Sequence, residues 1–321
     1  MGGTAGFLIG ATDSASDAND KVMMEYFYEV DLNTSFTGED KLNIEIETGN
    51  HPGIGVGADK VGLDWGSDNG DTLKVSDVNY TFPLGGWTVA VGDSMDASKT
   101  WPNACAVNNM VDNLGDCGAA NSVDLSGDVS LSASTEFGDG WELGLGISAD
   151  SGETSRGIFT NEGDDYYGIA IGYERDTFGF TAAYSMKEST TIADSTTGWV
   201  QSDNASQKDT TYYGLVGYYS PESTPLTLSG GIEFSDIEGT NTDKTQWTVG
   251  VSTELGEGTL SATFGTNGAI ADNAEEIYAY DLSYEYPIND SMSVTPFVYV
   301  AETTGSTVDT TGAGAFVSFS F

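Results

Sequence analysis

From Val123 to Phe137 the chain alternates residue by residue. Val123, Leu125, Gly127, Val129, Leu131, Ala133, Thr135 and Phe137 are apolar or small, while Asp124, Ser126, Asp128, Ser130, Ser132, Ser134 and Glu136 are polar. In an extended chain successive side chains point to opposite faces, so this pattern makes one face apolar and the other polar. The alternation outlasts the ~5–6 residues of an ordinary soluble strand and is long enough for the ~9–11 residues of a tilted strand crossing a bilayer. Gly138-Asp139-Gly140 then reverses the chain, and Trp141, Leu143, Leu145, Ile147 and Ala149 repeat the pattern against Glu142, Gly144, Gly146, Ser148 and Asp150. This long amphipathic hairpin reads as one repeat of a transmembrane β-barrel, apolar toward lipid and polar toward a water-filled lumen.

No stretch approaches the ~18 consecutive apolar residues of a membrane helix, so a spanning structure has to be a closed barrel. A hydrophobic content of only 38% is compatible with that, because half of each strand faces water. With 50 Asp and Glu against 10 Lys and Arg, the net charge of −40 excludes nucleic-acid binding, since nothing here could neutralise phosphates. The acidity fits either a salty medium or ion selection, and composition alone leaves both open. Met1 is not followed by a basic segment and an apolar core, so a mature or trimmed form is expected.

Strand periodicity recurs over Gly2–Ala11, Met23–Phe36, Lys41–Asn50, Asp71–Phe82, Gly86–Ser94, Asn121–Phe137, Gly140–Asp150 and Asp165–Glu174. It continues over Thr177–Met186, Asp209–Ser220, Pro225–Ser235, Lys244–Leu255, Gly258–Thr266, Glu275–Tyr286, Ser291–Ala301 and Thr311–Phe321. The expectation is a single all-β domain over residues 1–321, an antiparallel barrel of about sixteen strands, with the alternation slipping near Lys74–Val78 as at a β-bulge. Tight turns rich in Gly, Pro, Asn and Asp alternate with longer polar loops, the asymmetry of periplasmic and extracellular ends, and this places both termini on the short-turn side. Phe36, Phe82, Trp87, Phe137, Trp141, Phe178, Tyr286 and Phe321 would form an aromatic girdle at that interface. Tyr166, Tyr167, Tyr184, Tyr212, Tyr213 and Trp247 would form the opposite one. Aromatics beside turns also suit a soluble β-sandwich, the competing architecture.

With apolar faces on lipid, the lumen would receive Glu25, Glu29, Asp31, Glu45, Glu47, Asp124, Asp128, Glu136, Glu142, Asp150, Glu174, Glu233, Glu254, Asp281 and Glu285, with Lys74 as the clearest opposing cation. Such a wall concentrates cations. Because the Debye length is ~3 Å at 1 M salt and ~8 Å at 0.15 M, the expected cation preference is weak in concentrated salt and grows on dilution. The longest loop, Met95–Ala120, carries Asp96, Trp101-Pro102, Asp112 and Asp116 and is expected to fold inward as the constriction; the competing placement is an external cap. Its Cys105 and Cys117 would form a disulfide worth ~3 kcal/mol in an oxidising compartment, with free thiols as the alternative.

Signals for catalysis are thin. His51 is the sole histidine and lies in a Gly-rich loop, a weak basis for a hydrolase. Two acidic loop clusters, Asp64, Asp68, Asn69 and Asp71, and Glu162, Asp164 and Asp165, could offer oxygen ligands to Ca²⁺, but neither has EF-hand spacing. No catalytic residue and no cofactor is assigned.

The run Asp31-Leu32-Asn33-Thr34-Ser35-Phe36-Thr37-Gly38-Glu39-Asp40, continuing to Thr48-Gly49-Asn50, resembles the strand-turn-strand signature of cyanobacterial outer-membrane porins of the iron-uptake or carbohydrate type. Tyr80-Thr81-Phe82-Pro83-Leu84-Gly85, Trp101-Pro102 and Gly157-Ile158-Phe159-Thr160 match as well. The terminal strand, with Phe316, Val317, Ser318, Phe319 and Phe321, is similar to the signal read by the barrel-assembly machinery. The resemblance implies a trimeric, sixteen-stranded diffusion channel for inorganic ions and small solutes in the outer membrane. Two departures qualify it. The peptidoglycan-tethering surface-layer-homology domain and coiled coil of that family are not in this sequence, and Asn43, Glu45 and Glu47 stand where the family tends to carry arginines, which favours cations. From a different class, the alternative is a plugged structural or adhesive barrel whose loops bind a partner.

Overall fold

The computed structural model describes residues 2–13, 21–50, 69–150, 152–155, 157–160, 163–188, 191–194, 198–201, 209–238, 243–303 and 309–321. Its strands are β1 (Gly2–Asp13), β2 (Met23–Thr34), β3 (Lys41–Gly49), β4 (Lys74–Leu84), β5 (Trp87–Asp93), β6 (Val129–Phe137), β7 (Trp141–Asp150), β8 (Asp164–Arg175) and β9 (Phe178–Lys187). There follow β10 (Thr191–Asp194), β11 (Gly198–Gln201), β12 (Thr210–Tyr219), β13 (Leu226–Ile237), β14 (Lys244–Leu255), β15 (Gly258–Thr266), β16 (Ile270–Ala271), β17 (Tyr278–Asn289), β18 (Met292–Ala301) and β19 (Thr310–Ser320). Apart from the separate β10–β11 hairpin and the two-residue β16, these form a closed antiparallel barrel of sixteen strands. Closure is made by β1 against β19, from Thr4↔Ser320 to Asp13↔Thr311, so both chain ends lie at the short-turn side. A closed sheet leaves no unpaired edge, which is the condition for a sheet in hydrocarbon.

The two faces separate as the alternation requires. Phe7, Ile9, Leu131, Leu145, Ile169, Ile171, Leu215, Val249, Leu282 and Val298 are exposed on the outside, while Ser132, Ser134, Ser148, Thr181, Ser185, Ser229, Thr248, Ser261 and Thr263 are buried on the inside. The stacked-sheet alternative fails on this point, because a sandwich would bury the apolar set. The slip near Lys74–Val78 is a register shift: Glu45 pairs with Asp77 but Ile46 with Val75, leaving Ser76 bulged.

Two expectations change. The first half of the Val123–Phe137 run is not strand, since β6 starts at Val129. Val123 and Leu125, expected on the lipid side, are instead buried in an apolar cluster within the barrel with Trp101, Ala170, Ala183 and Val216. Alternation reports a half-buried segment of either kind, and here both buried surfaces belong to a loop. Tyr166 and Tyr212 also leave the proposed outer girdle; they face inward, where Lys187 Nζ lies 5.2 Å and 5.7 Å from their ring centres. The short-turn girdle is present as packed rings, among them Trp141–Tyr173 at 4.8 Å and Phe36–Tyr80 at 6.1 Å.

The β2–β3 turn is tied by one carboxylate. Asp40 accepts hydrogen bonds from Ser35 Oγ, Phe36 N–H, Thr37 N–H and Tyr80 Oη–H. These donors, Ser35 first, hold its carboxyl far below the ordinary range. A depressed folded-state value contributes stability above the unfolded pKa of ~3.9 that is lost as pH falls. Asp40→Ala is therefore expected to lower the thermal midpoint at neutral pH, with a smaller deficit in acid, as read by heat-modified gel mobility.

Candidate functional site: an acidic lumen and its inward loop

Between Asp93 and Val129 the chain leaves the wall and crosses the barrel interior. Its base is closed by Met95 N–H donating to Asp128 O at 3.2 Å and Ser98 N–H donating to Leu125 O at 3.3 Å. The outward leg then follows the inner wall strand by strand. Thr100 N–H donates to Ser132 Oγ of β6, Ala104 N–H to Thr181 Oγ1 of β9 and Ala106 N–H to Ser229 Oγ of β13. Asn108 Nδ2 reaches Ser261 of β15, and Met110 and Val111 N–H both donate to Asp281 Oδ2 of β17. A short 3₁₀ segment, Asp112–Gly118, turns the leg back. On the return, Asn121 N–H, Asn121 Nδ2, Ser122 N–H and Ser122 Oγ all converge on the Glu233 carboxylate of β13. Cys105 and Cys117 are joined by a disulfide with Cα atoms 5.6 Å apart, so it ties the outward leg to the return leg.

Small inward-facing residues make room for this loop. A Cβ on Gly146 would come within 2.2 Å of Ala97 O, and one on Gly168 within 2.4 Å of Trp101 Cη2. Close packing allows no such overlap. Gly168→Val is therefore expected to displace the Trp101 indole and the leg it heads, read as altered single-channel conductance with the barrel still folded.

The loop's hydrogen bonds run from β6 to β17, its apolar tip packs Met110, Val111 and Leu114 against Leu8 of β1 and Phe297 and Tyr299 of β18, and Lys99 touches β4, so the carboxylate pairs of β2 and β3 are the part of the wall left open. On that wall Glu29 pairs directly across the strands with Glu47, and Asp31 with Glu45, all four half-buried. Like charges opposite one another destabilise a sheet, so their retention on one face marks a surface shaped by something other than stability. Compensation is slight: Lys74 Nζ lies 2.8 Å from Glu47, and Lys99, from the loop, 3.3 Å from Asp77 of β4.

The other sequence-selected residues divide three ways. Glu136, Glu142 and Glu174 share a recess of about 690 Å³ beneath Pro102, where Tyr218 Oη–H donates to Glu174 at 2.7 Å. Glu254 and Glu285 are exposed on inward positions near the short turns, while Glu25 is buried on the inner wall. Glu233 and Asp281, expected to face the lumen water, are instead buried beneath the loop as its acceptors, because the loop's backbone N–H groups need partners once removed from water. Asp124 and Asp128 belong to the loop rather than to a strand, and Asp124 accepts from Ser98 Oγ. Trp101 is buried against the wall, not displayed in the passage, whereas Asp96 and Asp112 are exposed from the loop and Asp116 lies partly covered in the 3₁₀ segment.

Asp96 stands at the base of the loop, within electrostatic reach of Asp124, Lys99 and Asp77. Although open to lumen water, it is enclosed by the barrel; desolvation first, then the Asp124 carboxylate, push it up to about 6. Its charge therefore disappears as pH falls through that value, so the reversal potential should shift toward anions between pH 7 and pH 5 by an increment absent in Asp96→Asn. Reversal potentials of both proteins across that range check it.

His51, Asp64, Asp68 and Glu162 lie outside the described residues. Asp164 and Asp165 are described, and Asp165 Oδ1 accepts the Phe159 N–H.

Residues 173–321, just under half of the chain, match the model of the Gram-negative porin family. An uncharacterized protein of Nostoc sp. is 24% identical over 340 residues, covering 89% of this chain; the chain spans only 58% of that protein's length. Among solved structures, a loop-deletion mutant of OmpT, an outer membrane protein of Vibrio cholerae, superposes with a TM-score of 0.64 at 14% identity, covering 100% of this chain and 99% of the other. An anion-selective porin from Comamonas acidovorans gives 0.65 at 11% identity, covering 100% and 98%. A mutant of the Rh. blastica porin gives 0.59 at 14%, covering 100% and 99%. At these identities the likeness concerns the fold.

Proposed function

We propose that this chain is an outer-membrane diffusion channel for small hydrophilic solutes and inorganic ions, with a preference for cations. The observation that carries the reading is the division of the lumen: a closed barrel, apolar outside, whose inward loop is docked along β6–β18 and faces the open part of the β2–β3 wall carrying Glu29, Asp31, Glu45 and Glu47. The matching porin family over residues 173–321 and the porin fold support the channel part. Cation preference rests on the carboxylates alone, and iron or other metal ions belong to the solutes that such a wall would admit. Movement is passive, driven by the solute gradient, and no residue is assigned a catalytic role. The loop 95–120 acts as the constriction. A homotrimer and a cyanobacterial-type outer membrane complete the reading; the resemblance of Asp31–Asp40 supports both, and the Nostoc relative supports the second.

Planar-bilayer recording tests it. Purified protein should give steady open-channel steps, with a reversal potential on the cation side that grows as salt is diluted. No steady conductance would favour a plugged barrel, and anion selectivity in dilute salt would overturn the selectivity part. Cross-linking in detergent should give a trimer.

A further inference from the structure

The Gly157–Thr160 motif has no part in the lumen. It lies at the long-loop end between β7 and β8, and its surroundings are on the outside of the barrel. Along β8, Gly168, Ala170 and Gly172 face inward, so Asp165, Tyr167, Ile169 and Ile171 share the outward face. Ala149 of β7, the register partner of Asp165, faces outward likewise. Outward residues in such a barrel are normally exposed, as Ile169 is at 43% and Leu145 at 40%. Asp165 and Ala149 are only 2% and 1% exposed.

The connection between the strands provides the cover. Gly152 N–H donates to Ala149 O at 3.1 Å. Ile158 Cγ1 would lie 3.2 Å from a Cβ on Gly152, which would itself be 3.0 Å from Ala149 Cβ, so Ile158 closes over that pair. Phe159 N–H donates to Asp165 Oδ1 at 3.2 Å, and the Phe159 ring stacks on Tyr167 with centroids 6.1 Å apart. Phe159 adopts φ +58°, a left-handed backbone that a bulky residue rarely takes and that the Asp165 bond helps hold. The result is an exchange of surfaces. A carboxylate that would face the bilayer is covered, and Ile158 and Phe159 stand in its place, 49% and 50% exposed.

We propose that Gly157–Thr160 is a flap folded outward over the barrel rim, which seats Ile158 and Phe159 in the lipid leaflet at the long-loop end. Lipid is the occupant because the two side chains continue the outward apolar band of Tyr167, Ile169 and Ile171 without interruption, and aromatic rings are favoured at that depth. The inference rests on the membrane-barrel reading of the preceding section.

The two native cysteines are disulfide-bonded, so an introduced cysteine can carry a spin label alone. Labels at Ile158→Cys and Phe159→Cys are compared in proteoliposomes with Ile169→Cys on the outward band and Glu153→Cys on the exposed turn. Collision rates are measured with oxygen, which partitions into lipid, and with a neutral nickel chelate, which stays in water. At positions 158 and 159 the oxygen-to-nickel ratio should exceed that at 153 several-fold and approach that at 169. A ratio equal to that at 153, with 169 still lipid-like, would overturn the flap and leave the barrel standing. A water-like 169 would instead overturn the barrel reading. Exclusion of both reagents from 158 and 159 would show protein, such as a second copy, over the flap and would also overturn the proposal. Unchanged conductance of the channels labelled at 158 and 159 verifies an intact barrel, since the flap does not touch the lumen.

Discussion

Replacing Glu233 by alanine is expected to give a channel with larger and noisier unitary conductance than the parent. The carboxylate receives four hydrogen bonds from two consecutive loop residues, Asn121 and Ser122, and is buried on the wall of β13. Truncation removes the acceptor, leaves the Asn121 N–H without it and leaves the Ser122 N–H with Ala119 O alone, a cost of about 3 kcal/mol for bonds to a charged group with their desolvation. Each ~1.4 kcal/mol is tenfold in an equilibrium, so the ratio of docked to undocked return leg falls by roughly two decades. The outward leg keeps its separate contacts to Thr181, Ser261 and Asp281, so release is local and appears as fluctuation. Glu233→Gln retains one acceptor oxygen and should recover part of the quiet state. Adding a reductant to Glu233→Ala should increase the noise further, because the Cys105–Cys117 bond is what then couples the freed leg to the anchored one. Single-channel records that match the parent in both variants would show that the loop does not set the pore width.

The second large effect is expected from the quadruple substitution Glu29→Gln, Asp31→Asn, Glu45→Gln and Glu47→Gln, which should bring the cation-to-anion permeability ratio close to unity. At 4 Å in water a unit charge attracts a monovalent cation by about 1 kcal/mol, a local enrichment of roughly fivefold for each carboxylate before screening. The four lie as two facing pairs on the part of the wall that the loop leaves open. Screening fixes the conditions: at 0.01 M salt the Debye length of ~30 Å spans the lumen, whereas at 1 M its ~3 Å confines the effect to the wall. The difference between parent and variant should therefore be large in dilute salt and small in concentrated salt. Lys74→Gln removes the cation beside Glu47 and should shift selectivity in the opposite direction. A variant as cation-selective as the parent at both concentrations would place the selecting charge elsewhere.

Much of the architecture was legible because the bilayer imposes a strict code. The Leu131, Ala133 and Leu143, Leu145, Ile147 positions could only face lipid, and the turns at Gly138-Asp139-Gly140 and Gly256-Glu257 could only be short. The bulge at Ser76 was visible as a slip in that code. Alternation misled at Val123–Asp128, where a loop segment sandwiched between wall and lumen shows the same period as a strand. One signal for the loop's path was present and unread. The central inward positions of β7 and β8 are Gly144, Gly146, Gly168, Ala170 and Gly172, against Glu29, Asp31, Glu45 and Glu47 on β2 and β3. Small residues on a water-facing wall mean that something other than water lies on it.

By itself the sequence determined the closed barrel, its strand number, the side on which the termini meet and the acidity of the interior, since each follows from a two-residue period, turn chemistry or composition acting locally. Only the tertiary structure decided which carboxylates face the passage and which hold the loop. Glu233 and Glu47 have the same inward parity, and what separates their roles is whether a segment more than a hundred residues away in sequence arrives to share their oxygens. That choice is made by packing across the lumen, where the loop's unsatisfied N–H groups find the acceptors that geometry brings within reach.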